Sequence, residues 1–338
     1  KANSIQIKSL ENTLKSFPSV KYTKVFPNHK AEKSNSKVDL STIYQIQNLD
    51  AKSALKLVND LKKHQEIAYA ELIYPNELAY TPSDTQNYKQ WYLQAIQAFD
   101  AWDIETGDTS VVIGIVDTGF DIDHPDLVDS YQYNYDDPIN GIDDDNDGYI
   151  DNFYGWNAAN NNNNVDISFF GHGTNVAGIV AAQGYNNLGV SGVAWNAQLM
   201  SLDTFAGQGT FEGTPDVEAI YYAVDNGAKV INMSLGGNIK QSPDEYLTSL
   251  SSAAHQAAFQ YAYDNDVFIA IAAGNEAYES ANRNKWNNVG DLDISATSPA
   301  LFSKLFGNIA SVVASNALNR KSSFSNYGSD GTISAPGG

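Results

Sequence analysis

Apolar residues along this chain follow two patterns. At 111–116 (Val-Val-Ile-Gly-Ile-Val) and 267–273 (Val-Phe-Ile-Ala-Ile-Ala-Ala) they run with no polar break, as in strands buried on both faces of a parallel sheet. Further strands are expected at 198–204, 229–233 and 309–314. Between them apolar positions recur every three or four residues: Val176, Ile179 and Val180; Val217, Ile220, Tyr221 and Val224; Leu247, Leu250, Ala254, Ala257 and Tyr261. That period marks helices. Trp91, Ile96, Phe99 and Trp102 predict one more amphipathic helix ahead of the first strand. Strand and helix alternate, so residues 91–338 are expected to form an α/β domain, a doubly wound, mostly parallel sheet with right-handed crossovers.

The first 79 residues read differently. Ile7, Leu10, Leu14 and Phe17 share a helical face that Pro18 closes; strands are expected at 21–26 and 42–47, with a polar loop at 28–37. Asp50 is placed to cap a helix with Ala54, Leu57, Val58 and Leu61 inward, and 67–74 reads as a strand. A strand ahead of Lys1 would complete a βαββαβ, ferredoxin-like α+β pattern. Residues 75–85 are polar, carry Pro75 and Pro82, and have no helical period. The expected partition is therefore a small domain at 1–79, a linker at 80–90 open to processing, and the α/β domain at 91–338.

Charge sharpens that partition. The net charge is −20, yet residues 1–79 carry 12 Lys and Arg against 8 Asp and Glu, whereas residues 80–338 carry 8 against 32. Balances of +4 and −24 suggest two domains that attract each other. The acidic total argues against nucleic acid or an anionic membrane as the main partner. There is no cysteine, hence no disulfide framework and no thiolate chemistry. No apolar run is long enough to span a bilayer and no signal peptide begins at Lys1.

Candidate chemistry centres on the stretch from Phe170 to Ala182. His172 stands between Gly171 and Gly173 and opens a helix, where the positive end of the helix dipole favours a neutral imidazole able to accept a proton. Asp117-Thr-Gly follows the first buried strand, and open α/β sheets place their active sites at the carboxyl ends of such strands. Taken alone, Asp117 also fits a turn, or half of an aspartic-protease pair that would require a second Asp-Thr-Gly. Asp143, Asp145, Asp147, the Tyr149 carbonyl and Asp151 have the spacing of a calcium loop, without the closing glutamate or flanking helices of an EF-hand; a solvated acidic loop is the alternative. Asn160 to Asn164 reads as a flexible surface run. His29 and His64 are given no role, His124 reads as structural, and His255 as exposed or packed.

Six motifs then fall into one series: Val116-Asp-Thr-Gly119, Gly171-His-Gly-Thr174, Ser234-Leu-Gly-Gly237, Ala272-Ala-Gly-Asn275, Phe324-Ser-Asn-Tyr-Gly328 and Ser334-Ala-Pro-Gly337. In order and approximate separation, residues 91–338 resemble the subtilisin-like serine proteases, and residues 1–79 resemble a subtilase propeptide. The resemblance implies that Asp117 orients His172, that His172 takes the proton of a serine hydroxyl, and that Asn275 donates to the oxyanion. It implies that Ser234, Leu235, Gly236 and Gly237 pair with an extended polypeptide substrate, with Ala272, Ala273 and Gly274 as the opposite wall. A secreted, Ca²⁺-binding endopeptidase is expected, with its own propeptide docked on the catalytic domain. One departure stands out: the family's nucleophile lies in a Gly-Thr-Ser stretch soon after Ala-Pro-Gly, and residues 1–338 contain no Gly-Thr-Ser. The 338-residue chain is thus expected to be inactive by itself. The alternative is a non-catalytic, subtilase-like peptide-binding module.

Overall fold

The computed structural model describes residues 8–17, 20–27, 40–47, 49–72, 82–166, 171–205, 214–239, 241–249, 253–277 and 290–337. The close of the first helix at Pro18, the loop at 28–37, the end of the strand expected at 67–74, most of the connector at 75–85, and Phe170 lie outside them. The chain divides into two compact units, Lys1–Leu78 and Ala79–Gly338.

In the first unit, α1 (Lys8–Lys15), β1 (Lys21–Lys24), β2 (Tyr44–Gln47) and α2 (Ala51–Leu61) follow one another. β1 and β2 pair antiparallel, with Lys21 opposite Gln47. Asp50 caps α2 by accepting from the Ser53 amide at 3.0 Å. Leu10, Phe17, Leu57 and Leu61 form the core. Residues 67–72 join no ladder; Ile67 and Ala70 pack against that core instead. Burial of these apolar side chains helps to hold the segment, which pairs with no strand among the described residues.

The second unit is built on seven parallel strands: β3 (Val112–Asp117), β4 (Gly155–Asn157), β5 (Gln198–Asp203), β6 (Val230–Met233), β8 (Phe268–Ala272), β10 (Ile309–Ser315) and β11 (Ile333–Pro336). Their order is β11-β10-β8-β6-β3-β5-β4. The remaining strands, β7 (Gly237–Asn238) and β9 (Thr297–Ser298), form a separate antiparallel pair. The helices are α3 (Trp91–Ala95), α4 (Ala98–Trp102), α5 (His172–Ala181), α6 (Pro215–Asp225), α7 (Pro243–Leu247) and α8 (Ala253–Asp264).

Two of these helices replace what the sequence suggested as one. Gln97 has a left-handed backbone (φ 57°) between α3 and α4, and this break lets Leu93, Ala98 and Trp102 share one small core. The apolar period from Leu247 to Tyr261 is likewise divided between α7, which starts with a Ser242–Glu245 capping box, and α8.

The alternation of side chains along each strand sets the two faces of the sheet. Val112 and Val116 join Met200, Leu202, Ile231, Met233, Ile269 and Ile271 beneath residues of α6 and α8. Ile115 and Leu199 face the other way, toward Ala177 and Ala181 of α5. Each such fully buried aliphatic side chain is worth about 1.5–3 kcal/mol. Asp117 shares the parity of Ile115, so the last residue of β3 comes out on the face that α5 covers.

Residues 82–90 are fastened to the second unit. The buried Asp84 carboxylate accepts from the amides of Tyr185 and Asn186 and from the Ser191 hydroxyl, at 3.0, 3.2 and 2.7 Å. The Asn-rich run is also bonded in place: Asn157 and Asn162 exchange backbone hydrogen bonds, and the Asn157 side chain donates to the Asn164 carbonyl at 2.8 Å.

Candidate active site

Where β3 ends, Asp117 is 1 % exposed. Its Oδ1 accepts from the Thr118 amide at 2.8 Å and lies 2.7 Å from Nδ1 of His172. His172, the first residue of α5, keeps about half its side chain in solvent. Two links pull the start of α5 onto the turn after β3: the Gly173 amide donates to the Thr118 hydroxyl at 3.2 Å, and the Asp121 amide donates to the Thr174 hydroxyl at 2.9 Å. Gly173 has no alternative here, because a Cβ would collide with the Gly119 carbonyl oxygen. The glycine beside the histidine is thus what brings imidazole and carboxylate together.

A helix N-terminus alone would hold the imidazole neutral. The hydrogen bond to the Asp117 carboxylate outweighs that tendency and raises the His172 pKa, with burial opposing. With Nδ1–H donated to a carboxylate, Nε2 is the nitrogen left to accept a proton.

β8, β6 and β3 are neighbours and run parallel, so the segments leaving their carboxyl ends line one edge of the sheet. After β6 come Ser234, Leu235, Gly236 and Gly237. Ser234 accepts from the Asn232 side chain at 2.9 Å and Leu235 is buried in the main core. Gly236 takes φ 150° where a Cβ would press on the Ser298 carbonyl. Gly237 begins β7 and pairs with Ser298.

After β8 come Ala272, Ala273, Gly274 and Asn275. The Ala273 amide donates to the Val312 carbonyl at 3.0 Å, and Asn275 is exposed. This second segment is held by Asn326, a fully buried side chain. Its Nδ2 donates to the Ala273 carbonyl at 2.9 Å and to the Thr297 hydroxyl at 3.1 Å, and its Oδ1 accepts from the Ala277 amide at 3.0 Å. Asn326 lies in the Phe324–Gly328 motif, and sequence reasoning assigned it no task. The available signal was a polar residue inside a motif whose other members are small or aromatic.

The acidic loop is only partly as its spacing suggests. Asp143 and Asp145 meet, and the third carboxylate beside them is the buried Asp137, with one oxygen of each within 4.8 Å of the others. Asp147 accepts from the Tyr149 amide and the Asn152 side chain at 2.8 and 2.9 Å, and Asp143 and Asp145 likewise accept from the Asp147 amide, both at 3.2 Å. Asp151 accepts from the amides of Asn140 and Gly141, both at 2.8 Å. The Tyr149 ring packs on Trp156 and Tyr222. Three converging carboxylates are a hard, oxygen-only donor set, and that chemistry suits Ca²⁺. Burial raises the pKa of Asp147, and the charges of Asp145 and Asp143 add to the rise, as crowded carboxylates do. Asp137 sits outside the loop spacing, although the Asp136-Asp137 pair just ahead of it was visible.

A parallel sheet in this order, flanked by helices on both faces, with a carboxylate and a histidine at its carboxyl edge, is the subtilisin-like α/β fold. The Subtilase family pattern matches residues 108–338, and the chain belongs to that family. It is 31% identical over 283 residues to "Thermophilic serine proteinase" of Bacillus sp. (strain AK1), covering 83% of this chain and 57% of that protein. It is 33% identical over 259 residues to "Thermitase" of Thermoactinomyces vulgaris, covering 76% of this chain and 74% of that one. Among solved structures, a protease of Pseudoalteromonas arctica PAMC 21717 superposes with a TM-score of 0.54 at 28% identity, covering 77% of this chain and 73% of that one. The chain thus spans little more than half of the first relative's length. Family and relatives support a protease function. Among the described residues, no helix is long and apolar enough to cross a membrane.

Proposed function

We propose that the chain is the propeptide, residues 1–79, followed by a linker at 80–90 where processing occurs and by most of the catalytic domain, 91–338, of a secreted, calcium-binding subtilisin-like serine endopeptidase. The observation that carries this reading is the 2.7 Å contact between His172 Nδ1 and the buried Asp117 carboxylate at the carboxyl edge of the sheet. Asp117 fixes the imidazole tautomer and stabilises the imidazolium that forms. Nε2 takes the proton of a serine hydroxyl as that oxygen attacks the scissile carbonyl, then passes it to the leaving amine. Asn275, exposed after β8, donates to the oxyanion. An extended polypeptide substrate adds as a strand along Ser234, Leu235, Gly236 and Gly237, with Ala272, Ala273 and Gly274 as the facing wall.

Asp137, Asp143 and Asp145 would hold Ca²⁺, with the Tyr149 carbonyl, Asp147 and Asp151 shaping the loop around it. When bound, the ion neutralises the carboxylates and fixes the loop; it takes no part in the proton transfers. Residues 1–338 carry no Gly-Thr-Ser, so a polypeptide of these residues alone is expected to leave casein intact, whereas the full-length protein, once freed of residues 1–79, cleaves it. An activated full-length protein that binds peptides yet cleaves none would favour the peptide-binding module instead.

A further inference from the structure

Asp203 is a buried acid, 3 % exposed, for which the proposed mechanism has no task. It ends β5 directly in register with Asp117 on β3, and its parity along the strand is that of Leu199, on the α5 face. Its Oδ1 accepts from the Phe205 amide at 2.9 Å and its Oδ2 from the Asn157 side chain at 2.8 Å. Asp117 has the complementary shortfall. Oδ1 serves both His172 and the Thr118 amide, while Oδ2 is buried with no hydrogen-bond partner among the described residues. Two neighbouring buried carboxylates ionise together only at a cost, and a buried acceptor without a donor is costly as well. A single proton on Asp203 would relieve the first, and, directed toward Asp117 Oδ2, the second.

We infer that Asp203 is a positioning residue for the Asp117–His172 pair: protonated, it donates toward Asp117 Oδ2 and steadies that carboxylate, and on losing the proton it strengthens the hold of Asp117 on the imidazolium. The surroundings agree. β3 presents Asp117 and β4 presents the neutral Asn157, while His172 is the one titratable residue of α5. The loop beside them contributes Asp166, which is exposed and whose backbone shares the cradle around Gly119 with Asp203 Oδ2. Burial, reinforced by the Asp117 charge and opposed by the Phe205 amide, pushes the Asp203 carboxyl up to about 6. Through Asp117 the charge on Asp203 reaches the histidine, and two interacting groups of this kind titrate as a coupled pair.

This inference rests on Asp117 and His172 acting as an acid–base pair, but its test requires no nucleophile. NMR of the 338-residue chain, with ¹³C-carboxyl aspartate and ¹⁵N-histidine, follows both groups across pH. The expected result is an Asp203 midpoint near 6, with a second inflection at the same pH in the His172 signals. Asp203→Asn removes that inflection and lowers the His172 midpoint by about 0.5 unit or more. Asn157→Ala, which takes away one donor to the carboxylate, moves the Asp203 midpoint upward and serves if the first variant fails to fold. Titration of Asp203 at the ordinary 3.8, or a His172 curve without the shared inflection, overturns the inference. Failure of the full-length protein to hydrolyse peptides would contradict the protease reading and leave this coupling standing.

Discussion

At the scale of single residues, Asp117 and His172 are tuned to each other. Asp117 raises the histidine pKa above the ordinary 6.5, and the base must be neutral to work, so kcat/KM of the full-length enzyme should rise with pH through a midpoint above that value and fall toward acid. Asp117→Asn should lower kcat by about 10⁴-fold with the fold intact, since the wrong tautomer then faces the serine. Asn275→Ala should cost about 10²–10³ in kcat with little change in KM, because its donor matters most when charge develops on the oxyanion. Gly173→Ala tests packing rather than chemistry. Its methyl has no room beneath the Gly119 carbonyl, so urea unfolding should read a loss of about 1–3 kcal/mol. The contact between Asp117 and His172 could be anticipated in the sequence because their motifs are short and ordered. The placement of Asp203 and Asn326 could not, because it comes from register and burial, and neither leaves a periodic signal.

At the scale of elements, the continuous apolar strands were legible because both faces of the sheet are covered, and α5 and α6 because their apolar stripes repeat every three or four residues. The splits between α3 and α4 and between α7 and α8 were not: a single left-handed residue, Gln97, and a local cap at Ser242 override an otherwise continuous period. The short β4, β7 and β9 also escaped, since two or three residues make no pattern. The acidic loop lies between these cases. Spacing pointed to Asp143, Asp145, Asp147 and Asp151 alike, whereas the carboxylate that the fold sets beside Asp143 and Asp145 is Asp137, from outside the motif. Ca²⁺ bound only by the folded state would stabilise the second unit by about 2.7 kcal/mol at a free concentration a hundredfold above Kd. Chelation should therefore lower its Tm, and Asp137→Asn should abolish both the calcium-dependent rise and that sensitivity. A Tm indifferent to chelator and to Asp137→Asn would mean that the cluster is only a solvated acidic surface.

At the scale of the whole molecule, the charge balance of +4 over residues 1–79 and −24 over 80–338 supports the proposed inhibitory docking of the first unit on the second. Such an attraction is screened by salt. Supplied in trans, residues 1–79 should inhibit the activated protease, with an inhibition constant that weakens as NaCl rises from about 0.05 to 0.5 M; equal inhibition at both would remove charge as the driving force. On the proposed reading, this fold prepares a serine nucleophile. Fluorophosphonate labelling of the full-length protein after release of the first unit, read by peptide mapping, tests it most directly. One labelled serine is expected, in the peptide that follows Ser334-Ala-Pro-Gly337, with loss of the label in His172→Ala. An activated, folded protein that takes up no label, or a label that survives His172→Ala at full rate, would contradict it.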